Sequence, residues 1–233
     1  MEDHHEDHCE NCIIRQLNSL KALSKEELKR ISDNKIIKSV KKGDSLFQEG
    51  ERLNGVFCVR NGVSKLSKMS DNGKDQIVKI VTKGEILGQR SVITEEKTNL
   101  SATALNNMDV CYIPKSYFTD NISANVAFTK AILIQTANDL KLADNVIVNM
   151  AQKSVKQRIA ETLIYLEKKF STDEDGYIAI TLTRENIANV VGTANELCIR
   201  ILTSFKKEGW IETDGKRIKI KNTKSLYRLI KGL

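Results

Sequence analysis

The chain has 233 residues, 40% of them hydrophobic, and 37 Lys and Arg against 30 Asp and Glu give it a formal net charge of +7. This length exceeds the usual single domain of about 100 to 150 residues, so two domains are expected. No apolar run approaches the roughly 18 residues that a membrane span needs, and the acidic, histidine-rich start does not resemble a signal peptide, so we expect a cytoplasmic protein with no membrane partner.

The N-terminal segment contains two of the five cysteines. Cys9 and Cys12 form a C-x-x-C pair that follows His8. Because the five cysteines are an odd, widely spread set, reduced thiols or metal ligands are expected rather than disulfides. A single C-x-x-C is weak evidence for a metal, and mixed His and Cys ligands could equally hold zinc.

The first half of the chain has the pattern of an antiparallel β-barrel. Seven of the twelve glycines lie between positions 36 and 114, where they separate short apolar stretches. Gly55–Val59 and Gln76–Val81 are predicted strands, and Asn72-Gly73 is a hairpin signal. Ahead of them, Ser24–Ile31 is predicted to be a short helix with Ser24 in a capping box.

A long helix is predicted after Pro114, the only proline. From Ser123 to Met150 there is no Gly or Pro, and apolar residues recur at heptad spacing. The seam that they form consists of Val126, Leu133, Leu140, Ala143, Ile147 and Met150. A narrow continuous stripe suits the same helix of a second copy, which predicts a homodimer. Alternatively the stripe packs on the chain's own barrel, since Thr129 and Thr136 weaken the heptad.

The positive charge is concentrated beyond this helix. From Lys153 to Leu233 there are 16 Lys and Arg residues against 10 Asp and Glu residues, a net of +6. Such a charge is typical of a domain that binds a polyanion such as nucleic acid. A solvated lysine-rich surface would have the same composition, so the charge alone leaves both interpretations open.

This last part of the chain is predicted to contain several short elements. They are a helix at Val155–Phe170, an acidic loop at Thr172–Gly176 and a strand at Tyr177–Leu182. Thr183 can then cap a further helix that ends before Gly192, where glycine permits a tight turn.

A second helix and a hairpin follow this turn. Thr193 and Glu196 have the spacing of a capping box, and the helix is predicted to stop at Gly209. Beyond it, apolar and polar residues alternate around Asp214-Gly215, a strong signal for a two-stranded wing. A helix, a turn, a helix and a wing in this order are typical of proteins that place the second helix in the major groove of DNA.

The start of this second helix contains the residues expected to read bases. Glu196 and Arg200 are one turn apart, so Glu196 can accept from cytosine N4 while Arg200 donates to guanine O6 and N7. The alternatives are a helix cap for Glu196 and an intrahelical ion pair for Arg200. Basic side chains nearby are expected at phosphates. The full set expected at DNA is Thr183, Arg184, Thr193, Asn195, Glu196, Ile199, Arg200, Lys206, Lys216, Arg217 and Lys219.

Over nearly its whole length the chain resembles the CRP/FNR family of transcription regulators. The motifs that carry the resemblance are Lys42–Phe47, Val59–Gly62, Gly84-Glu85 with Gly88, Val110–Pro114, and Leu182–Leu202 with the wing. By this resemblance Glu196 and Arg200 fall on the family's base readers. Asn195 and Ile199 depart from the family's residues, so the outer bases of the half-site are not defined.

The resemblance implies an α+β fold in four parts. They are an N-terminal cysteine and histidine segment at 1–22, a cyclic-nucleotide-binding-like double-stranded β-helix (jelly-roll) barrel at 23–122, a dimerisation helix at 123–151 and a winged helix-turn-helix domain at 152–233. It also implies a homodimer that reads a palindromic site on double-stranded DNA and contacts RNA polymerase.

In such proteins the barrel binds an effector, which here would meet Glu85, Gly88, Leu100 and Ser101. A cyclic nucleotide would need an arginine for its phosphate, but the residue before Ser101 is Leu100. Because an uncompensated phosphate charge inside a barrel is costly, cyclic AMP is not expected to bind. The alternative is that Gly84, Glu85 and Gly88 simply make a turn.

The oxygen-responsive branch of the family holds an iron–sulfur cluster with an N-terminal cysteine cluster and one barrel cysteine. Cys9, Cys12 and Cys111 fall on three of these positions, whereas Asn18 replaces the third N-terminal cysteine. The candidates for a fourth ligand are His4, His5, His8, an acidic residue and an exogenous group. The alternatives to a cluster are another metal, haem, a thiol redox sensor or no metal.

Cys58, in a barrel strand, and Cys198, on the second helix, are interpreted as buried small apolar side chains. An enzyme is not expected, because the chain has no nucleophile with its base and orienting residue, no P-loop and no dinucleotide-binding fingerprint. A structural nucleoid-type binder is the other rival. The hypothesis is a sequence-specific regulator controlled by a redox or gas signal. The alternative is the same regulator without a metal, either constitutive or responsive to another small effector.

Overall fold

A computed structural model describes residues 8–71 and 73–232 of the chain. The structure is α+β, as predicted, with strands concentrated in the first half and helices in the second. The chain divides into two compact units, Met1–Lys68 with Val78–Lys141, and Met69–Ile77 with Leu142–Leu233. Within the described ranges, no helix is both long enough and apolar enough to cross a membrane. The predicted bounds of the four parts stay predictions.

Two short 3-10 helices, Ile13–Leu17 and Ser19–Ala22, precede helix α1, Lys25–Asn34. The predicted capping box of α1 is confirmed. The Glu27 N–H donates to Ser24 Oγ at 3.2 Å, and the Ser24 N–H donates to Glu27 Oε2 at 2.7 Å. The helix therefore begins where the sequence predicts and extends three residues beyond the predicted end at Ile31.

The barrel is built from two four-stranded sheets. Its strands are β1 Ile36–Val40, β2 Ser45–Phe47, β3 Gly55–Asn61, β4 Val63–Met69, β5 Asp75–Thr82, β6 Ile86–Leu87, β7 Ser101–Ala104 and β8 Met108–Pro114. The sheets have the orders β1-β8-β3-β6 and β2-β7-β4-β5. The two predicted strands are confirmed as parts of β3 and β5, whereas Asn72 of the predicted turn lies outside the described residues. Helix α2, Gln89–Thr94, lies between β6 and β7.

Two helices follow the barrel, α3 at Lys115–Ala124 and α4 at Val126–Gln152. The prediction of one helix from Ser123 is wrong at its start, because Asn125 is extended and separates the two helices. The Asn125 Oδ1 accepts the N–H of Phe128 at 2.9 Å. A side-chain cap therefore starts α4 at a position that no Gly or Pro marks.

Apolar side chains of the barrel unit form two clusters. The first lies inside the barrel and includes Phe47, Phe57 and Met108. The second, which we call the junction cluster, joins the N-terminal segment, α1, β3, β8, α3 and α4. Its members are Cys9, Ile14, Leu20, Leu23, Leu28, Ile31, Val56, Cys58, Ile86, Val92, Cys111, Ile113, Phe118, Phe128 and Ile132.

The winged unit contains the remaining elements. They are α5 Val155–Phe170, α6 Arg184–Val191, α7 Asn195–Lys207, β9 Ile211–Asp214, β10 Arg217–Ile220 and α8 Thr223–Ile230. Helix α5 has the predicted bounds, and α8, which packs against α5, was not predicted. The wing is confirmed as the antiparallel pair of β9 and β10, with Asp214 opposite Arg217.

The predicted strand at Tyr177–Leu182 is wrong, because this segment makes only an isolated bridge between Thr172 and Ile178. The Ile178 N–H donates to the Ile218 carbonyl at 2.9 Å, while the next N–H, of Ala179, donates to the Ser171 carbonyl at 3.1 Å. Successive backbone groups thus bond to different parts of the unit, and no continuous ladder forms.

Candidate nucleic-acid interface and cysteine cavity

Helices α6 and α7 are joined by a tight turn at Gly192. Thr183 caps α6 as predicted, since its Oγ1 accepts the N–H of Asn186 at 3.0 Å. Gly192 has a φ of 71°, in the left-handed region that favours glycine. The N–H groups of Gly192 and Thr193 both donate to the Ala188 carbonyl, at 2.9 and 3.1 Å. These bonds fix where α7 begins.

The predicted capping box of Thr193 and Glu196 is wrong. Thr193 is still part of the turn that closes α6, so the N-cap of α7 is Ala194. The methyl side chain of Ala194 cannot cap the helix. Glu196 is therefore the second residue of α7, whereas a capping box needs the third. Within the described chain the Glu196 carboxylate makes no hydrogen bond or ion pair, so it is available to an external donor.

One side of α7 packs into the winged unit and the other faces solvent. Cys198 and Phe205 are buried, as the sequence predicts for Cys198. The exposed residues at the start of the opposite side are Glu196, Ile199 and Arg200. No ion pair joins Glu196 to Arg200 in the ranges that the structure describes. A carboxylate and a guanidinium thus stand open on one face of α7.

Asn195 and Thr193 are set back from this face, since both are half-buried. The Oδ1 of Asn195 is buried and has no hydrogen-bond partner among the described residues. A buried acceptor without a donor costs about 1 to 3 kcal/mol. A ligand or water that donates to Asn195 would remove this cost.

Arg184 holds the turn of the wing. Its guanidinium donates to the Gly215 carbonyl at 3.1 Å and to the Lys216 carbonyl at 3.2 Å. Burial lowers the pKa of Arg184 from its ordinary value. The structure therefore places this predicted DNA contact in a positioning role between α6 and the wing.

Arg217 and Lys219 face the acidic loop that follows α5. Arg217 pairs with Asp173 at 2.9 Å and with Asp175 at 2.8 Å, and hydrogen bonds to these carboxylates raise its pKa. The Lys219 Nζ donates to the Asp175 carbonyl at 2.8 Å. These two predicted phosphate contacts are thus engaged within the winged unit. Lys206 and Lys216 are exposed and make no ion pair within the described residues.

The heptad seam of α4 is exposed on the single chain. Val126, Leu133, Leu140 and Ile147 are 85%, 69%, 63% and 66% exposed. Ala143 and Met150 are exposed as well. The alternative that this stripe packs on the chain's own barrel is wrong, because that contact is made by Phe128 and Ile132 on another side of the helix.

The predicted effector pocket is occupied by the protein's own contacts. Glu85 accepts the Thr82 N–H at 2.9 Å and pairs with Lys79 at 3.1 Å, and Lys79 also pairs with Asp139 of α4 at 2.9 Å. Ser101 Oγ accepts the Glu49 N–H at 2.9 Å.

Nearby, Gly88 forms the left-handed N-cap of α2 and Leu100 is half-buried. Aromatic rings pack inside the barrel, with ring centroids of Phe57 and Tyr112 5.2 Å apart.

Four of the five cysteines line one small cavity between the N-terminal segment and the barrel. Cys58 of β3 and Cys111 of β8 are opposite each other in the antiparallel register, so their side chains project from the same face. Cys9 and Cys12 close the cavity from the N-terminal side. The volume is about 20 Å³. The other lining residues are Ile14, Arg15, Leu20, Lys35, Arg60 and Ile113.

Burial removes three of the cavity's thiols, those of Cys9, Cys58 and Cys111, from water. Burial raises the pKa of Cys58 to about 12 and also raises the pKa values of Cys9 and Cys111. Lys35 opposes this effect, since its Nζ donates to Cys9 Sγ at 3.3 Å. The positive charges of Lys35 and Arg60 also oppose the effect of burial on the pKa of Cys111. Burial therefore disfavours the thiolate form of Cys9, Cys58 and Cys111.

The cysteines of the cavity are the right type of ligand for an iron–sulfur centre, because both iron–sulfur centres and zinc ions bind thiolates. In residues 8–71 and 73–232, no group of three or more His, Cys, Asp or Glu side chains is arranged so that it could hold a metal ion. The cavity itself has room for about one water-sized group. His8 does not line it and lies beside Glu10, 3.8 Å away. His4 and His5 lie outside the described residues.

Asn18 fixes the N-terminal segment to the barrel next to Cys58. Its Nδ2 donates to the Gly84 carbonyl at 3.0 Å and to Cys58 Sγ at 3.5 Å, and its Oδ1 accepts the Leu20 N–H at 2.9 Å. The sequence prediction that Cys58 is buried is confirmed. Its place beside the other three cysteines was not predicted, because it depends on how β3 pairs with β8.

Two family models match the chain. The model described as "Cyclic nucleotide-binding domain" matches residues 37–125, and the model described as "Crp-like helix-turn-helix domain" matches residues 157–229. Between them they include both the barrel and the predicted base-reading helix.

Known proteins resemble the chain over nearly its full length. The "Anaerobic regulatory protein" of Haemophilus influenzae is 30% identical over 95% of this chain and 87% of its own length. The "Transcriptional activator protein FnrA" of Stutzerimonas stutzeri is 28% identical over 97% of this chain and 93% of its own length.

Among solved structures, FixK2 from Bradyrhizobium japonicum has a TM-score of 0.76 and 21% identity, over 84% of this chain and 96% of its own. A putative transcriptional regulator of the crp/fnr family from Eubacterium rectale has a TM-score of 0.75 and 22% identity, over 91% of this chain and 96% of its own. At this level of sequence identity, the likeness to the two structures supports only the fold of this chain.

Proposed function

Since this chain belongs to the CRP/FNR family of DNA-binding transcription regulators, we propose that it binds a palindromic DNA site as a homodimer and that a redox or gas signal controls this binding. Its place of action is the cytoplasm, its further partner is RNA polymerase, and no catalytic role is assigned. The observation that carries the DNA-reading part is the pair of exposed charges on α7, Glu196 and Arg200, which have no ion-pair partner among the described residues.

Glu196 and Arg200 act as base readers. A carboxylate accepts from cytosine N4 and a guanidinium donates two bonds to guanine, and each good contact contributes about 1 to 3 kcal/mol of discrimination. Lys206 and Lys216 contact phosphates, which position the domain without specifying sequence. Arg184 acts indirectly, because it holds the wing turn that presents Lys216.

The homodimer forms through the seam of α4. The apolar side chains of the seam are exposed on the single chain. Because Leu133, Leu140 and Ile147 are uncharged, no charge at these positions opposes association. A second copy of the same helix would bury this stripe. The two winged units would then face two half-sites whose centres are about one helical turn, 10 to 10.5 base pairs, apart.

The signal acts at the cysteine cavity. Cys9, Cys12 and Cys111 would hold an iron–sulfur centre, which when bound supplies an oxygen-sensitive cross-link between the N-terminal segment and the barrel. Cys9 and Cys111 belong to the same junction cluster as Phe128 and Ile132, the two buried residues of α4. Because this core is close-packed, a change at the cysteines alters the packing of the helix that carries the dimer seam.

Cyclic AMP is not proposed as the effector. The Glu85 carboxylate is already used by Lys79 and by the Thr82 backbone, and Leu100 offers no charge to a phosphate. A buried phosphate without a cationic partner would lose its hydration and gain nothing in exchange.

The test compares DNA affinities of protein purified without oxygen, at one fixed salt concentration. A preferred duplex is first selected from random sequences, and its affinity is compared with that of a scrambled duplex, before and after exposure to air. We expect the selected duplex to bind at least about 10³-fold more tightly without oxygen and to lose most of this advantage in air. Equal affinities for the two duplexes would contradict sequence-specific binding. An unchanged ratio in air would contradict the signal.

A further inference from the structure

Position 18 is where the resemblance to the oxygen-responsive branch expects a third N-terminal cysteine, and the structure places Cys58 beside it. The Asn18 Nδ2 lies 3.5 Å from Cys58 Sγ. We propose that Cys58 supplies the missing thiolate, so that Cys9, Cys12, Cys58 and Cys111 together ligate the iron–sulfur centre. This inference rests on the proposed function, and it replaces the histidine and acidic candidates for the fourth ligand.

The backbone brings Cys58 and Cys111 together. They are paired residues of adjacent antiparallel strands, for which Cβ atoms are about 4.5 to 5.5 Å apart. This pairing is fixed by the sheet and does not depend on the N-terminal segment. Half of the ligand set is therefore preformed on a rigid element, which is where a precise site is best built.

The other half lies on a segment held against that sheet. The Cys9 N–H donates to Ser32 Oγ at 3.1 Å, and Asn18 anchors the end of the same segment to Gly84. Because Cys9 and Cys12 stand before a short 3-10 helix rather than in a sheet, small rotations of this segment can bring their sulfurs toward the other two. The proposal therefore requires a local movement of the C-x-x-C turn to gather the four ligands.

The charges of the cavity wall match this ligand set. Each thiol loses its proton on ligation, and four thiolates around a divalent core leave two negative charges. Arg15, Lys35 and Arg60 line the cavity, and their three positive charges oppose the negative charge of this ligand set. A buried pair of charges is tolerated only when it is compensated in this way. A cysteine that merely filled space at position 58 would require neither the three neighbouring thiols nor these cations.

The experiment reconstitutes the full-length chain without oxygen, using ferrous iron and sulfide. Wild type, Cys58→Ala and Cys198→Ala are compared by iron and acid-labile sulfide per chain and by visible absorption. Cys198 is the matched control, since it is also buried but lies in the winged unit. We expect Cys198→Ala to match wild type and Cys58→Ala to lose most of its iron, sulfide and colour.

A second variant separates ligation from folding. In Asn18→Cys combined with Cys58→Ala, the thiol moves to the neighbouring position, and we expect iron and sulfide to return. Full loading of Cys58→Ala would overturn the inference while leaving the proposed function intact. A wild type without iron and sulfide would overturn both this inference and the proposed iron–sulfur signal, while the DNA-binding part of the proposed function would stand. Failure of the double variant to regain iron, with a wild-type circular dichroism spectrum, would also overturn the assignment of Cys58.

Discussion

The side-chain amide of Asn125 donates to both carboxylate oxygens of Glu27, at 3.1 and 2.8 Å. Glu27 belongs to the capping box of α1, and Asn125 caps the start of α4. One carboxylate therefore ties together the beginnings of two helices. The backbone N–H of Ser24 and the Asn125 amide lower the pKa of Glu27 below its ordinary value.

Replacement of Glu27 by Gln is expected to change how stability depends on pH. A carboxyl whose pKa is lowered on folding stabilises the protein above its unfolded pKa of about 4.3, and this contribution is lost as the pH falls through the folded value. Wild type should therefore melt at a higher temperature than Glu27→Gln at neutral pH, and the difference should close in acid. Thermal melts across the pH range measure this. Glu26→Gln, on the same turn, is the control, and an equal effect of both variants would contradict the prediction.

Leu140→Asp is expected to convert the dimer into single chains. The substitution places a charge in the middle of the exposed seam, where association would have to desolvate it. Asn138→Asp adds the same charge two residues away, outside the heptad positions, and should leave the dimer unchanged. Sizing chromatography with light scattering gives the mass of each variant. A dimeric Leu140→Asp would show that another surface associates.

Glu196→Ala and Arg200→Ala are expected to relax the preference for one G·C pair, each by about 1 to 3 kcal/mol. Lys216→Ala should instead weaken binding to all duplexes. The slope of log affinity against log salt concentration should fall by about 1, which corresponds to one released counterion. Competition between duplexes that differ at single positions distinguishes the two outcomes. The Lys219 ammonium already donates to the Asp175 carbonyl, so Lys219→Ala should change the salt dependence of DNA binding less than Lys216→Ala does. A uniform loss for all four variants would rule out the base-reading roles.

Arg184→Ala is expected to destabilise the wing. The variant loses two hydrogen bonds to the carbonyls of Gly215 and Lys216. Because the side chain is half-exposed, this loss should lower the free energy of unfolding by about 1 kcal/mol in total. DNA affinity should fall for selected and scrambled duplexes alike. Urea unfolding and binding titrations measure the two effects. Loss of preference at a single base pair would indicate instead that Arg184 contacts a base.

The winged unit could be predicted in most of its elements because its signals are local. Thr183, Gly192 and Asp214-Gly215 each specify a cap or a turn within a few residues of sequence. The prediction failed where two local signals competed, as at Thr193, whose backbone closes α6 and therefore cannot start α7. It failed again at Tyr177–Leu182, where strand-like residues have no continuous partner.

The candidate site was predictable only in part, for a different reason. The exposed charges of α7 follow from helical spacing, which the sequence contains. The neutralisation of Arg217 by Asp173, and the meeting of Cys58 with Cys111, depend on contacts between distant segments. No local pattern encodes these contacts, so the ion pairs of Arg217 and the position of Cys58 beside Cys111 became visible only in the folded chain.

The exposed seam of α4 also links the stability of the protein to its abundance. In the proposed homodimer a second copy would bind the folded helix and not the unfolded chain, so mass action would raise the melting temperature as protein concentration rises. At low expression each chain would spend longer alone, with its apolar stripe open to proteases and chaperones. The amount of the regulator in a cell would then fall more steeply than its rate of synthesis, which would sharpen the transition between a bound and an empty promoter.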